Sequence, residues 1–177
     1  MIQDPIVDQP IIETQRLVLR PLKASDKGPL ELYAGDARVA RMTTSIPHPL
    51  PPGALEAFIK GAQAPERRED VWALDGHAHG LPELLGCIAL ERMDRGQSEI
   101  GYWVAPGFWQ LGLAQEALQA ILAANPQGIA TVFASVFQDN PASARVLTNC
   151  GFTYLGDAEA FSVARDATVA TWTYHKR

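Results

Sequence analysis

Hydrophobic and polar positions change their spacing along this chain. Up to residue 104, short apolar runs at 17–19, 70–74, 84–91 and 98–104 are typical of β-strands, while Leu55, Phe58 and Ile59 fall on one face of a helix. Farther along, Leu113, Ala117, Leu118, Ile121 and Leu122 recur every three or four residues, which is the spacing of an amphipathic helix. This pattern predicts a strand, two helices and three meandering strands, followed by a helix, a strand, a helix and two strands.

Breaking and capping residues define where these elements begin and end. Pro21 ends the first strand, Asn125-Pro126 ends the amphipathic helix, and Asn140-Pro141 provides an N-cap with proline at the first helical position. We predict an α/β fold with a mixed sheet, in one domain over residues 1–177 with residues 1–10 as an N-terminal arm. The predicted strands lie at 17–19, 70–74, 84–91, 98–104, 131–137, 152–155 and 169–174, and the predicted helices contain Leu30, Leu55, Leu113 and the residues after Asn140.

Length and charge narrow the possible functions. A chain of 177 residues is long enough for one domain with a substantial core. Its formal charge of -5 argues against binding nucleic acid or an anionic membrane, but it leaves room for a local anion site. Because the sequence has only two cysteines, no apolar stretch of membrane-spanning length and no basic leader, we expect a protein of the reducing cytoplasm.

The stretch from residue 99 to residue 117 suggests such an anion site. A predicted strand ends at Val104, and a short loop leads to a helix that begins near Gly112. A loop of this kind directs free backbone N–H groups and the positive end of a helix at one point, and these can hold a phosphate without basic side chains. The alternative is a strand-to-helix connection without a ligand, and the glycine spacing matches neither a Walker A loop nor a dinucleotide fingerprint.

This stretch resembles the pyrophosphate loop of the GNAT superfamily of acetyl-CoA-dependent N-acetyltransferases, in particular its RimJ/RimL-like branch. That branch often has Glu-Ile-Gly-Tyr before the loop and Trp-x-x-Gly-x-Ala-x-Glu-Ala through it. Segments 14–21, 86–88 and 140–152 match the family in the same order. The matching residues in and before the loop are Glu99, Ile100, Gly101, Tyr102, Trp109, Gly112, Ala114, Glu116 and Ala117.

The resemblance implies a GNAT-like fold, with a central, mostly antiparallel sheet, two parallel strands that splay apart, and flanking helices. Acetyl-CoA would be the co-substrate, and its pantetheine arm would pair with the backbone of Trp103 and Val104. Asn140 and Ser143 would lie near the thiol end, although Asn140 as a simple helix cap and Ser143 as a surface hydroxyl are equally open. The pyrophosphate would be held by the backbone amides of Gln110, Leu111, Gly112, Leu113, Ala114 and Gln115.

The implied reaction is direct attack of a primary amine on the thioester, without a metal. The acceptor would be a protein N-terminal α-amine or a small-molecule amine. Glu99 is the candidate general base, through a water molecule, with Glu91 and Glu159 in reserve and an ordinary strand carboxylate as the alternative. Leu147 stands where many members carry a tyrosine acid, so Ser143 would have to protonate the leaving thiolate.

Two residues of the loop also depart from the family. Gln110 and Leu111 replace the usual glycine and basic residue, which would weaken phosphate binding. His77 and His79 are interpreted as a solvated turn rather than as metal ligands.

Other functions remain open at this stage. A non-catalytic acyl-CoA-binding or sensor module is the main alternative, and an interaction protein that uses exposed sheet edges is a third. We expect a monomer or a homodimer, and we expect the loops at 35–53 and 157–168 to define the acceptor site.

Overall fold

An eight-stranded sheet, with the strand order β1-β2-β3-β4-β5-β6-β8-β7, forms the centre of the protein in the computed structural model, which describes residues 9–177. Neighbouring strands are antiparallel except for β5 and β6, which are parallel. The strands are β1 (Ile12–Glu13), β2 (Val18–Pro21), β3 (Glu69–Asp75), β4 (Gly86–Arg92), β5 (Gln97–Val104), β6 (Thr131–Phe137), β7 (Thr153–Ser162) and β8 (Ala167–Lys176). The helices are α1 (Lys27–Ala34), α2 (Ala37–Ala40), α3 (Ala54–Ala62), α4 (Leu113–Ala124) and α5 (Pro141–Asn149).

The predicted mixed α/β fold is confirmed. The amphipathic helix is α4, and the helix capped by Asn140 is α5. Residues 1–8 of the predicted arm lie outside the described residues.

The segment 157–168, predicted as an acceptor loop, is mostly strand instead. β7 continues to Ser162, pairs with β8 along its length, and shifts register between Tyr154 and Gly156. Most side chains of β7 are exposed on this sheet edge, so they show no alternation of apolar and polar positions that would mark a strand. Backbone pairing with β8, which cannot be deduced from local pattern, decides its length.

Helices cover the sheet on both faces. One face packs against α4 and α5 around Leu118 and Ile121, and the other packs against α1 and α3 around Leu30 and Ile59. Because side chains alternate along a strand, β5 contributes to both clusters. Ile100, Tyr102 and Val104 face α4 and α5, whereas Trp103 faces α1 and α3.

The parallel pair β5–β6 is short, and this shapes the candidate site. The two strands pair only where residues 97–99 lie opposite residues 131–133. Beyond Glu99, β5 pairs with β4 alone, while β6 continues to pair with β8 up to Phe137. The strands therefore separate at Glu99 and leave a cleft between the two halves of the sheet.

Candidate active site

The loop after β5 presents backbone amides at one side of the cleft. After a 3-10 turn at Pro106–Phe108, the backbone is left-handed at Gln110 (φ 65°) and at Gly112 (φ 76°), and α4 begins at Leu113. The amide of Glu116 makes a helical bond to the Gly112 carbonyl at 3.0 Å. No described side chain caps this helix, so the amides that precede Glu116 point out of the helix end.

The surface of the loop is open to a ligand. Residues 109–112 are exposed, and Gly107 has free space where a side chain would stand. The Trp109 indole N–H donates to the Val104 carbonyl at 2.6 Å, which folds the loop back against the end of β5. The loop is thus held in place by a side-chain contact while residues 109–112 stay exposed.

Glu116, in the first turns of α4, ties this helix to the start of the chain. Its carboxylate accepts hydrogen bonds from Thr14 Oγ1 (2.6 Å), Arg16 N (2.8 Å) and Arg16 Nε (2.9 Å). Burial acts to raise the pKa of Glu116, but these hydrogen bonds and the Arg16 charge outweigh it, so the pKa lies below its ordinary value. Glu116 is therefore ionised at neutral pH and fixes the turn between β1 and β2 beside the loop.

Two hydroxyl groups meet across the cleft, one from β5 and one from α5. Tyr102 donates its phenolic O–H to the Ser143 carbonyl at 2.9 Å, and Ser143 Oγ donates to the Tyr102 hydroxyl oxygen at 3.0 Å. Burial raises the pKa of Tyr102 well above its ordinary value, although the hydrogen bond from Ser143 acts in the opposite direction. The phenol therefore remains protonated and is available as a donor.

Sequence reasoning singled out Ser143 but missed its partner. Tyr102 lies on the same face of β5 as Ile100 and Val104, and strand alternation alone predicts that all three share a face. That this face meets α5 required the tertiary structure. Asn140 Oδ1 accepts from Ser143 N at 3.4 Å, so Asn140 caps α5, and Leu147 is fully buried in the core.

Glu99 lies at the point where β5 and β6 separate, but on the opposite face of β5 from Tyr102. It stands beside Glu91 of β4, which in turn stands beside Glu69 of β3, so three carboxylates form a row across adjacent strands. Partial burial, followed by repulsion from Glu91, raises the pKa of Glu99 above its ordinary value. The structure therefore brings Glu99 and Ser143 to the two faces of one cleft rather than to the same face.

The remaining candidates lie elsewhere. Glu159 is exposed on the edge strand β7, where it pairs with Ala170, and β6 and β8 separate it from Glu99. His77 and His79 lie in an exposed 3-10 turn between β3 and β4. Among residues 9–177 no group of three or more His, Cys, Asp or Glu side chains could hold a metal ion, and no helix is long and apolar enough to cross a membrane.

The two segments expected to define the acceptor site contact each other. Arg165, in the turn between β7 and β8, donates to both carboxylate oxygens of Asp139 (2.6 and 3.0 Å) and to the Arg41 carbonyl (2.8 Å). Its guanidinium lies 4.9 Å from the centre of the Phe137 ring, and Phe137 shares the Glu99 face of the sheet by strand alternation. A bridge between the turn at 163–166 and the loop at 41–44 therefore closes one end of the Glu99 face.

Comparison with known proteins identifies the family. A model described as the acetyltransferase (GNAT) domain matches residues 16–153, and the chain belongs to this family of N-acetyltransferase enzymes. It is 30% identical to the uncharacterized N-acetyltransferase YoaA of Bacillus subtilis (strain 168) over 153 residues. These aligned residues make up 81% of this chain and 82% of YoaA.

Solved structures share the fold at lower sequence identity. The ribosomal L7/L12 α-N-protein acetyltransferase RimL in complex with coenzyme A superposes with a TM-score of 0.78 at 19% identity, over 94% of this chain and 97% of RimL. The spermidine N-acetyltransferase of Vibrio cholerae in complex with CoA and spermine gives 0.75 at 16% identity, over 91% of this chain and 95% of that one. The GNAT fold is thus confirmed, and RimL is among the structures that share it.

Proposed function

We propose that this protein transfers an acetyl group from acetyl-CoA to a primary amine, by direct attack of the amine within a ternary complex. The observation that carries the proposal is the position of the open amide loop at residues 110–115, directly after the strand that forms one wall of the β5–β6 cleft. The described residues form one continuous sheet, which supports a single acetyltransferase domain. We further propose that it acts in the cytoplasm, as a monomer or a homodimer.

The loop and the cleft suit different parts of acetyl-CoA. Amides of Gln110–Gln115 at the start of α4 offer N–H donors and a positive helix end to the pyrophosphate. The backbone of Trp103 and Val104, which β6 no longer pairs with, would receive the pantetheine amides as an added strand. Trp109 already donates to the Val104 carbonyl, but a carbonyl oxygen has a second lone pair for another donor.

Glu99 is our candidate for the general base. A raised pKa brings its carboxylate closer to the operating pH, which makes proton transfer to it more effective. An α-amine with a pKa of about 7.8 is roughly one-third neutral at pH 7.5, whereas a lysine side chain is only about 0.1% neutral. A carboxylate acting through water therefore suits an α-amine or another weakly basic amine best.

Ser143 and Tyr102 are our candidates for handling the leaving thiolate. Ser143 Oγ would turn its O–H from Tyr102 to the thiolate, and the protonated phenol of Tyr102 would then donate to Ser143 Oγ. The proton that the amine loses towards Glu99 balances the proton that the thiolate gains through this pair. Tyr102 thus takes part of the role that a tyrosine at position 147 has elsewhere in the family.

A non-catalytic acyl-CoA-binding module remains the second candidate. The observation that favours it is Leu147, which is fully buried and leaves no acid at that position. In such a protein the cofactor loop would be kept while the Glu99 and Ser143 positions carried no chemistry.

Release of thiol from acetyl-CoA distinguishes the two functions. We expect the purified protein to release CoA thiol when given peptides with free N-terminal α-amines or small primary amines, and to release little without an amine. Peptides with a blocked N-terminus serve as matched controls. Binding of acetyl-CoA by calorimetry with no amine-dependent thiol release across the whole panel would identify a binding module instead.

Replacing Gly112 by valine should disable the cofactor loop. The left-handed backbone at Gly112 costs an L-residue about 1–2 kcal/mol, and a branched side chain would also stand next to the amides. We expect acetyl-CoA affinity measured by calorimetry to fall by about tenfold or more. The control is Gly107→Ala in the same loop, where φ is not positive and a Cβ meets nothing within 4 Å. Unchanged affinity in Gly112→Val would contradict the loop assignment.

The pH dependence of the rate should report Glu99. Because the base must be ionised, we expect kcat to rise with pH as a group ionises whose pKa lies above the ordinary value of a glutamate. Glu99→Gln should remove this acidic limb of the pH profile and lower kcat by about 100-fold. A carboxyl group whose pKa is raised on folding stabilises the fold at low pH, and this contribution is lost as the pH rises through the folded-state pKa. Glu99→Gln should therefore not reduce thermal stability at neutral pH. Glu159→Gln is the control, and a retained acidic limb in Glu99→Gln would refute the assignment.

Removing the Ser143 hydroxyl should slow turnover more than binding. We expect Ser143→Ala and Tyr102→Phe each to lower kcat by about 10- to 100-fold, the cost of losing a hydrogen bond to a charged group, with little change in KM for acetyl-CoA. Thr148→Ala removes an exposed hydroxyl from the same helix and serves as the control. Full kcat in both variants would show that the hydroxyl pair is structural.

A further inference from the structure

The side chain of Arg16 lies beside the candidate pyrophosphate loop, although it is far from that loop in sequence. A Cβ placed on Gly112 would lie 3.6 Å from Nη2 of Arg16, and this is the nearest atom outside the neighbouring residues. Arg16 comes from the turn between β1 and β2, just before β2 begins at Val18. The guanidinium is therefore next to the left-handed residue from which α4 starts.

One hydrogen bond to Glu116 holds this guanidinium through Nε. Its Nε donates to Glu116 Oε1 at 2.9 Å, while the backbone amide of Arg16 and the Thr14 hydroxyl hold Glu116 Oε2. Nη1 and Nη2 make no hydrogen bond to any of residues 9–177, and 39% of the side chain is exposed. The terminal nitrogens are thus oriented by Glu116 yet remain available to a ligand.

The charge of Arg16 supplies what the loop itself lacks. Residues 105–115 contain no lysine, arginine or histidine, and Leu111 stands where the family usually has a basic residue. Backbone amides alone provide only partial charges, whereas a guanidinium provides a full charge and two N–H groups in a fixed plane that match phosphate oxygens. A cation next to Gly112 would therefore strengthen phosphate binding at this helix end.

We propose that Arg16 binds the phosphate of acetyl-CoA at the start of α4 through Nη1 and Nη2, and that Glu116 is the positioning residue that holds it there. This inference rests on the proposed function, since it needs the loop at 110–115 to be the cofactor site. The pyrophosphate is the phosphate group that the loop amides would bind, so Arg16 contacts that group rather than the 3′-phosphate of the adenosine. The basic residue missing at Leu111 is replaced in space by one from the β1–β2 turn.

Three ligands separate this role from a structural one. We would titrate wild type and Arg16→Met with acetyl-CoA, with acetyl-dephospho-CoA, which lacks the 3′-phosphate, and with S-acetylpantetheine, which lacks the nucleotide and the pyrophosphate. Methionine keeps an unbranched apolar stem but has no charge. We expect Arg16→Met to lower the affinity for acetyl-CoA and for acetyl-dephospho-CoA by the same factor of about 10- to 100-fold. The affinity for S-acetylpantetheine should stay unchanged.

Further variants keep the result interpretable. Arg16→Lys keeps the charge but loses the planar pair of donors, so its affinity for acetyl-CoA should fall between those of wild type and Arg16→Met. Arg38→Met removes an exposed arginine that pairs with Asp36 and should leave the affinity for acetyl-CoA unchanged. The acetyl-CoA affinity of wild type should also depend more steeply on salt concentration than that of Arg16→Met.

The outcomes distinguish the possible errors. An equal loss of affinity for all three ligands would show that Arg16 supports the fold of the site. A loss of affinity confined to acetyl-CoA would show that Arg16 contacts the 3′-phosphate. Either result overturns the proposal. Unchanged acetyl-CoA affinity in Arg16→Met also overturns it while leaving the loop assignment intact. If wild type itself does not bind acetyl-CoA, the proposed function fails, whatever the Arg16 variants show.

Discussion

The separation of β5 from β6 after only three paired residues on each strand is the constraint on which the rest of the site depends. A sheet that stayed paired would have no cleft and no unpaired backbone along β5. Because the sheet opens at Glu99, β5, which carries Tyr102 and leads into the amide loop, is unpaired along one edge. The chain continues from the end of β6 into α5. Both walls of the cleft therefore carry candidate site residues at backbone positions that the sheet holds in place.

The two faces of β5 carry groups of opposite electrostatic character. On the α4–α5 side are the first amides of α4 and the Arg16 guanidinium, which favour an anion. On the α1–α3 side is the row of Glu69, Glu91 and Glu99, which favours a cation such as a protonated amine. A net charge of -5 is compatible with binding a phosphate ligand, since the positive groups are local and this row of acidic groups lies on the opposite face of β5.

Contacts between distant parts of the chain hold each side of the cleft. On the α4–α5 side, Glu116 joins α4 to the β1–β2 turn through three hydrogen bonds. On the Glu99 side, Arg165 joins the β7–β8 turn to Asp139, just before α5, and to the backbone of Arg41. Each junction uses a charged group with several partners, which fixes its geometry more firmly than a single surface ion pair would.

The local sequence pattern was sufficient to predict the elements whose ends are set by residues close by in the sequence. The periodicity of Leu113, Leu118 and Ile121 defined α4, and Asn140-Pro141 defined the start of α5, because helix periodicity and capping act over a few residues. The family motif likewise marked the stretch at 99–117, since the loop is continuous in sequence. Pattern failed at β7, where an exposed edge strand carries no alternation, and at α2, a helix of one turn inside a predicted loop.

The sequence by itself therefore determined the order of most elements, the position of the candidate cofactor loop and the family. Only the tertiary structure decided which side chains meet at the cleft. Tyr102 reaches Ser143 across 41 positions of sequence, and Arg16 reaches Glu116 across 100. Such pairs are set by strand pairing and helix packing over the whole sheet, and no local signal in one chain states which strand face will meet which helix.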